Sequence, residues 1–260
     1  MSRLLPPSIA ASCALLVIAC DMGPPAPALL RMGNLVPDAP AIDFCLKAAT
    51  DSAFTTPFVG GSGLGFPSLS NRVSIDAGSY SLRIVQAPAT NCNNVLSGIG
   101  DVSAQFGEGG AFTVAALGRL TGQGSPSVVL TPFLDDVTPP ATGVKLRYIH
   151  AAPGVDGVDI GVLTGNPLSP FAALVTNLTY GDVSNPNYVP YNNALPSATL
   201  AAVSPPGSQS IIVTSGNNGV TIPAGTVSTL WLIGIPNVVG SSQLGFLLSA
   251  DNTNSYSRYP

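Results

Sequence analysis

The chain repeats itself, and the repeat limits what it can fold into more than any other feature. LRMGNLVPDAPAIDF, from Leu30, lies over LRYIHAAPGVDGVDI, from Leu146, without a gap at an offset of 116 (146 − 30). Leu30 and Leu146, Arg31 and Arg147, Pro37 and Pro153, and Asp43 and Asp159 are identical pairs. Ile42/Val158 and Phe44/Ile160 keep apolar character. The same offset relates Thr113 to Thr229, Leu117 to Ile233, Gly118 to Gly234 and Asp135 to Asp251, so the agreement covers both ends of a duplicated unit. In the middle, Gly78-Ser79 with Ser81 matches Gly207-Ser208 with Ser210 at an offset of 129 (207 − 78). That match predicts extra residues within 164–198 of the second copy and within 87–107 of the first. The units become 29–135 and 145–260, joined by 136–144, where Pro139-Pro140 cannot continue a central strand.

Each unit reads as β structure. Only 8% of residues are charged, Glu occurs once (Glu108) and Lys twice (Lys47, Lys145), so the residues that favour exposed helix faces are nearly absent. Gly (28) and Pro (25) supply frequent turns. In AIDFCL, Ile42, Phe44 and Leu46 face one way and Asp43 and Cys45 the other, and VDIGV repeats the pattern with Val158, Ile160 and Val162. Tyr80, Leu82 and Ile84 alternate likewise, as do Phe112, Val114 and Ala116. TLWLIGI, from Thr229, is apolar on both faces and predicts a central strand. The expectation is an all-β chain of two tandem antiparallel β-sandwich units, immunoglobulin-like or transthyretin-like. One Trp and scattered prolines speak against an outer-membrane barrel, which needs aromatic girdles and longer continuous strands.

The N-terminus reads as an address. Arg3 precedes an eleven-residue apolar run, Ile9 to Ala19, too short to span a bilayer and suited to a signal peptide over 1–19. The run ends in Val17-Ile18-Ala19-Cys20, similar to the bacterial lipobox, in which the cysteine becomes the lipidated first residue of the mature protein. Diacylglycerol on the Cys20 thiol and a further acyl chain on its amine would give a stable membrane anchor. Ordinary cleavage after Ala26-Pro27-Ala28 is the alternative. Residues 20–28 form a Pro-rich tether that holds the folded part off the membrane. The expected location is the bacterial cell envelope, periplasmic or surface-facing. Export also favours a disulfide between Cys45 and Cys92, the remaining pair, with two free thiols as the alternative.

At Leu30 to Phe44 and Leu146 to Ile160 the chain resembles the domain of unknown function 4397 family, whose copies open with a motif like R-x-V-H-A-S-P-D-A-P-x-V-D. The first copy keeps Arg31, Pro37-Asp38-Ala39-Pro40 and Asp43 but carries Asn34 in the histidine position. The second keeps Arg147, His150-Ala151, Pro153 and Asp159, with Gly154-Val155-Asp156 departing from D-A-P. Tyr180 to Ser184 and Ala77 to Tyr80 are similar to further family segments. The resemblance implies exported, often tandem, β-sandwich surface proteins and brings no catalytic assignment.

The residues themselves offer little chemistry. A net charge of −4 with no basic patch excludes nucleic acid as a partner. No nucleophile elbow, phosphate-binding loop, dinucleotide fingerprint or paired metal motif occurs. His150, the single histidine, is expected to serve hydrogen bonding near a strand-to-turn junction, as its counterpart Asn34 does. Asp43 and Asp159, with Asp38 and Asp156 nearby, could form a duplicated calcium or carboxylate site, but the favoured role is satisfying backbone N–H groups in the P-D-A-P turn. The candidate binding loop carries Tyr180, Tyr188 and Tyr191 among Asn185, Asn187, Asn192 and Asn193. The sequence therefore favours a non-catalytic envelope lipoprotein, a surface interaction or scaffold module with no cofactor, no catalytic residue and no metal. Its partners would be the membrane, through the lipid anchor, and an envelope glycan or protein. The alternatives are an envelope enzyme acting on glycans or peptides through aspartates, and a calcium-stabilised adhesin.

Overall fold

The computed structural model describes residues 24–54, 56–122, 126–163, 171–185, 187–192, 195–203, 205–215 and 220–259. The expected signal peptide, the candidate lipidation site Cys20 and the start of the expected tether lie outside them, as do residues 164–170, 186, 193 and 194 of the expected insertion, Asn193 included.

The chain is all-β. The first half contains β1 (Ala28–Asn34), β2 (Ile42–Ala48), β3 (Ser68–Leu69), β4 (Val73–Ile75), β5 (Gly78–Gln86), β6 (Val102–Phe106), β7 (Ala111–Leu117) and β8 (Val129–Asp135). The second contains β9 (Val144–His150), β10 (Val158–Leu163), β11 (Phe171–Leu178), β12 (Val189–Tyr191), β13 (Leu195–Val203), β14 (Ile211–Thr214), β15 (Val220–Ile222), β16 (Val227–Ile233), β17 (Gly245–Ala250) and β18 (Tyr256–Tyr259). Among the described residues no strand ladder crosses between the halves.

Each half is a two-sheet sandwich. In the first, β3-β1-β7-β8, with β4 also on β1, faces the sheet β2-β5-β6; in the second, β12-β9-β16-β17-β18 faces β11-β10-β13-β14, with β15 on β13. The predicted faces hold. Ile42, Phe44, Leu46, Leu82, Ile84, Phe112, Val114 and Ala116 all enter the first core. Val158 and Ile160 enter the second, with Val162 packed against it.

Two features depart from the sequence reading. The sandwiches are not wholly antiparallel, because β1 runs parallel to β7 and β9 parallel to β16. Apolar alternation fixes which face of a strand is buried but not the direction of its neighbour. The second departure concerns the repeat. Asp43 pairs with Val85 and Asp159 with Val203, so the counterpart of β5 is β13 at an offset of 118 (203 − 85), not the segment at Gly207. The Val85–Val95 bridge corresponds to Val203–Ile211, which restores 116 (211 − 95). The long compensating insertions are absent. The differences are steps of two residues: Ser184 matches Ser70 at 114 (184 − 70), β12 matches β4 at 116, β13 matches β5 at 118, and Ile211 matches Val95 at 116.

The inner sheets of the two halves pack outer face to outer face. Leu35, Leu69, Ala115, Leu117 and Phe133 of the first half join Ile149, Ala151, Trp231, Ile233 and Leu247 of the second in one buried cluster. Phe133 meets Trp231 edge-on at 5.3 Å between ring centroids. This gives four sheet layers, and it explains why β7 and β16 are buried at every position. Parallel strands need cover on both faces, and this stacking supplies it.

Gly118 and Gly234, matched at 116, close β7 and β16 with φ of 116° and 92°. A Cβ there would lie 2.5 Å from the Ser127 carbonyl oxygen and 2.1 Å from that of Gln243, so both conformation and space require glycine. The sheet edges differ between the halves. β17 is covered by β18, whereas β8 ends its sheet and carries Pro132 at its centre, which offers no N–H to an incoming strand.

Candidate functional site

The duplicated polar residues converge where the halves meet. Arg31 Nε donates to Thr113 Oγ1 at 2.7 Å, and Arg147 Nε donates to Thr229 Oγ1 at 2.9 Å. The rest of each guanidinium crosses to the other half. Arg31 Nη2 reaches Asp251 Oδ1 and Arg147 Nη2 reaches Asp135 Oδ1, both at 2.5 Å. Arg31 Nη1 donates to the Ala250 carbonyl at 3.5 Å and Arg147 Nη1 to that of Leu134 at 2.9 Å. Thr113 and Thr229 close the circuit by donating to Asp135 and Asp251 at 2.6 and 2.5 Å. Each contact maps onto its partner by the offset of 116, so the halves are related by a pseudo-two-fold axis through this cluster. Both arginine side chains and both aspartates are almost fully buried.

Two positions break the symmetry, the first being Ser249, which accepts from Arg31 Nη2 at 3.3 Å where the first half presents the Phe133 ring to Arg147. At the position of Arg72, whose Nη2 donates to Asp135 Oδ2 at 2.7 Å, the second half has Tyr188, whose hydroxyl donates to Asp251 Oδ2 at 2.7 Å. Tyr188 also lies under the Arg147 guanidinium, 4.8 Å from its ring centroid. Three guanidinium groups therefore face two carboxylates. Burial raises the Asp135 pKa, but Arg147, Arg31 and Arg72 outweigh it and hold the carboxyl below its usual range. Burial alone would lower Arg147, yet Asp135 and Asp251 keep it above its ordinary value and charged. Burial, then Arg31, pull Arg72 down.

Asp43 and Asp159 anchor loops. Asp43 accepts from the N–H groups of Phe44 and Val59 at 2.7 and 2.8 Å on Oδ1, and from Gly60 at 2.6 Å on Oδ2. Asp159 accepts from Asn177 at 2.8 Å and Gly207 at 2.7 Å. Backbone amides are the partners, as expected, but apart from the neighbouring Phe44 they come from Val59 and Gly60, from Asn177 in β11 and from Gly207 rather than from the P-D-A-P turn. Asp38 instead receives Leu120 and Thr121, so the two aspartates of the first motif do not converge. Among the described residues no three His, Cys, Asp or Glu side chains gather as metal ligands.

His150 and Asn34 play one part. Asn34 Oδ1 accepts from Val36 N–H at 3.1 Å, and its Nδ2 donates to the Pro40 carbonyl at 3.4 Å. His150 Nδ1 accepts from Ala152 N–H at 3.3 Å and Nε2 meets the Asp156 carbonyl at 3.2 Å, residue for residue at offset 116. That pattern assigns the proton to Nε2. Burial pushes the imidazole pKa down, so the ring is neutral.

The three loop tyrosines do not form a common exposed face. The Tyr188 hydroxyl belongs to the Asp251 cluster, and that of Tyr191 bonds Tyr148 at 2.8 Å. The Tyr180 hydroxyl is buried without a hydrogen-bond partner among the described residues, and burial pushes its pKa up to about 12. Its ring meets His150 edge-on. Cys45 and Cys92 form the expected disulfide, with Cα atoms 6.0 Å apart. It covers the outer face of the β2-β5-β6 sheet together with Val85 and Phe54.

The candidate binding loop still lines concave surface, with Ser184, Asn185 and Asn187 in a cleft of about 390 Å³ and Asn187 and Tyr188 in one of about 300 Å³; other clefts lie away from it. A cleft of about 700 Å³ in the first half is lined by Phe58, Ile75, Tyr80, Asp51 and Asp76 among others. A second cleft, about 270 Å³, opens between β15 and β18 in the second half. Tyr256, Tyr259, Thr221, Thr253, Ser255 and Ser257 line it, and no Asp, Glu, Lys or Arg does. The sequence reading missed this cleft because its residues form no motif and come from strands 35 residues apart (256 − 221 = 35).

A family model described as "Domain of unknown function (DUF4397)" matches residues 28–161. No curated protein sequence matches. Among solved structures, the chain is similar to a family CBM26 module of Eubacterium rectale Amy13K, solved in complex with maltoheptaose. The match has 11% identity and a TM-score of 0.23, over 82% of this chain and 99% of that one.

Proposed function

Since the chain belongs to the family described as "Domain of unknown function (DUF4397)", we propose that it is a non-catalytic lipoprotein of the cell envelope, a rigid two-unit module that presents recognition surface to an envelope partner. The observation that carries this reading is how the duplicated ionisable residues are used. Arg31, Arg147, Asp135, Asp251, Asp43 and Asp159 each bond to the frame and are buried. A carboxylate held by backbone amides or by two guanidinium groups is not poised to exchange protons with a substrate. In this reading, export is directed by residues 1–19 and anchoring by lipid on Cys20.

The partner class that the accessible chemistry favours is a neutral envelope glycan. Tyr256, 42% exposed, and Tyr259 give stacking surface, and the surrounding hydroxyls give uncharged donors and acceptors. The test is a screen of purified residues 29–260, oxidised, against peptidoglycan fragments and neutral envelope polysaccharides. Saturable binding lost in Tyr256→Ala and Tyr259→Ala supports the reading. Binding that survives both changes removes this cleft from it. A screen without binding favours a protein partner, to be sought by crosslinking in cells.

A further inference from the structure

The contact between the halves has the form of an isologous dimer interface, in which one patch meets a second copy of itself. Arg31, Thr113, Leu134 and Asp135 on one side stand where Arg147, Thr229, Ala250 and Asp251 stand on the other, and the crossing bonds of each arginine to the opposite aspartate and to the carbonyl before it are symmetric mates; only the Arg31 bond to Ser249 lacks one, because Phe133 stands at that place in the first half. We infer that the outer face of the β9-β16-β17 sheet is a self-recognition surface, and that the partner it fits is the same repeat in a second copy of this chain. Within one chain the surface is filled by the first half.

The charges rank the pairings. The internal pair places Arg31, Arg72 and Arg147 against Asp135 and Asp251. Two second halves would bring two copies of Arg147 against two of Asp251, with Tyr188 in place of Arg72, and the cluster would be neutral. Two first halves would bury four guanidinium groups against two carboxylates. The apolar contact permits the second-half pair as well. Trp231 of each copy would face Ser249 of the other in place of Phe133, the ring it meets edge-on within one chain, while keeping the bond from its Nε1 to its own Ser249 at 3.2 Å. The covalent link, residues 136–144, is tied down locally by Lys145 on Asp136 at 2.5 Å and adds no cross-half contact of its own there.

The test begins with the folded full-length protein carrying a protease site between Pro139 and Pro140, cleaved after purification. Native mass spectrometry of the nicked protein is expected to show the two halves still paired. On mixing with a nitrogen-15-labelled nicked sample, it should show first halves paired with second halves of the other copy, and pairs of second halves but none of first halves. Arg147→Asp is expected to abolish these complexes and Arg147→Asp with Asp135→Arg to restore the first–second pair, which separates loss of recognition from loss of fold. Halves that part on cleavage overturn the inference. So do labelled mixtures without second-half pairs, or first-half pairs as abundant as second-half pairs.

Discussion

Replacing Asp251 by Asn removes one of two carboxylates that neutralise three buried guanidinium groups. The substitution keeps side-chain size, so its effect is electrostatic. Asp251 accepts from Arg31 at 2.5 Å, Thr229 at 2.5 Å and Tyr188 at 2.7 Å. Removing one partner of a buried ion pair costs about 3–5 kcal/mol, because the other charge stays buried without compensation. At roughly 2–4 °C per kcal/mol for a body of this size, the melting temperature should fall by about 6–20 °C. Urea denaturation gives the free-energy change, and Asp101→Asn serves as the control. Asp101 bonds Arg83 with both oxygens at 2.8 Å but is 39% exposed, so its loss should cost under about 1 kcal/mol. A loss in Asp251→Asn no greater than in the control would refute the argument that the cluster locks the halves.

Other expectations follow from the same geometry. His150→Asn, which copies the first half, should cost less than His150→Ala, which strands the Ala152 N–H at about 1–3 kcal/mol; chemical denaturation of the two variants compares them. Because burial lowers the His150 pKa, its contribution is complete above the unfolded value of about 6.5 and is lost as the pH falls from there toward the folded value. The slope of stability across that window should vanish in His150→Asn. The depressed Asp135 carboxyl contributes stability above its unfolded pKa and loses it as pH falls through the lower folded value, so a steep acid transition should appear below about pH 4 in a circular-dichroism titration. Opening the Cys45–Cys92 bridge by double substitution to Ala should cost about 2–4 kcal/mol from relaxation of the 47-residue loop, seen as a lower denaturation midpoint.

Much of the frame was legible in the sequence because it is written in periodicity and duplication. AIDFCL and VDIGV declared their faces, and the both-sided apolarity of TLWLIGI marked a strand covered twice. The layer that covers it was not legible, since apolarity does not name its partner. Matching Gly78-Ser79 to Gly207-Ser208 misled because Gly-Ser recurs at turns for local reasons, whereas the true equivalent of β5 is β13, LPSATLAAV, which shares its pairing and not its residues. Arg31/Arg147, Thr113/Thr229 and Asp135/Asp251 stood out as repeated pairs. That Arg31 meets Asp251 across 220 residues of chain is a property of packing. Tyr188 was read as a loop tyrosine, although the offset of 116 already set it on Arg72.

Differential scanning calorimetry of the oxidised protein tests most directly the claim that the crossed arginine–aspartate cluster and the apolar contact around Trp231 make the two halves one body. The expected result is a single transition whose calorimetric and van't Hoff enthalpies agree. Two separable transitions, each with about half the enthalpy, would contradict it.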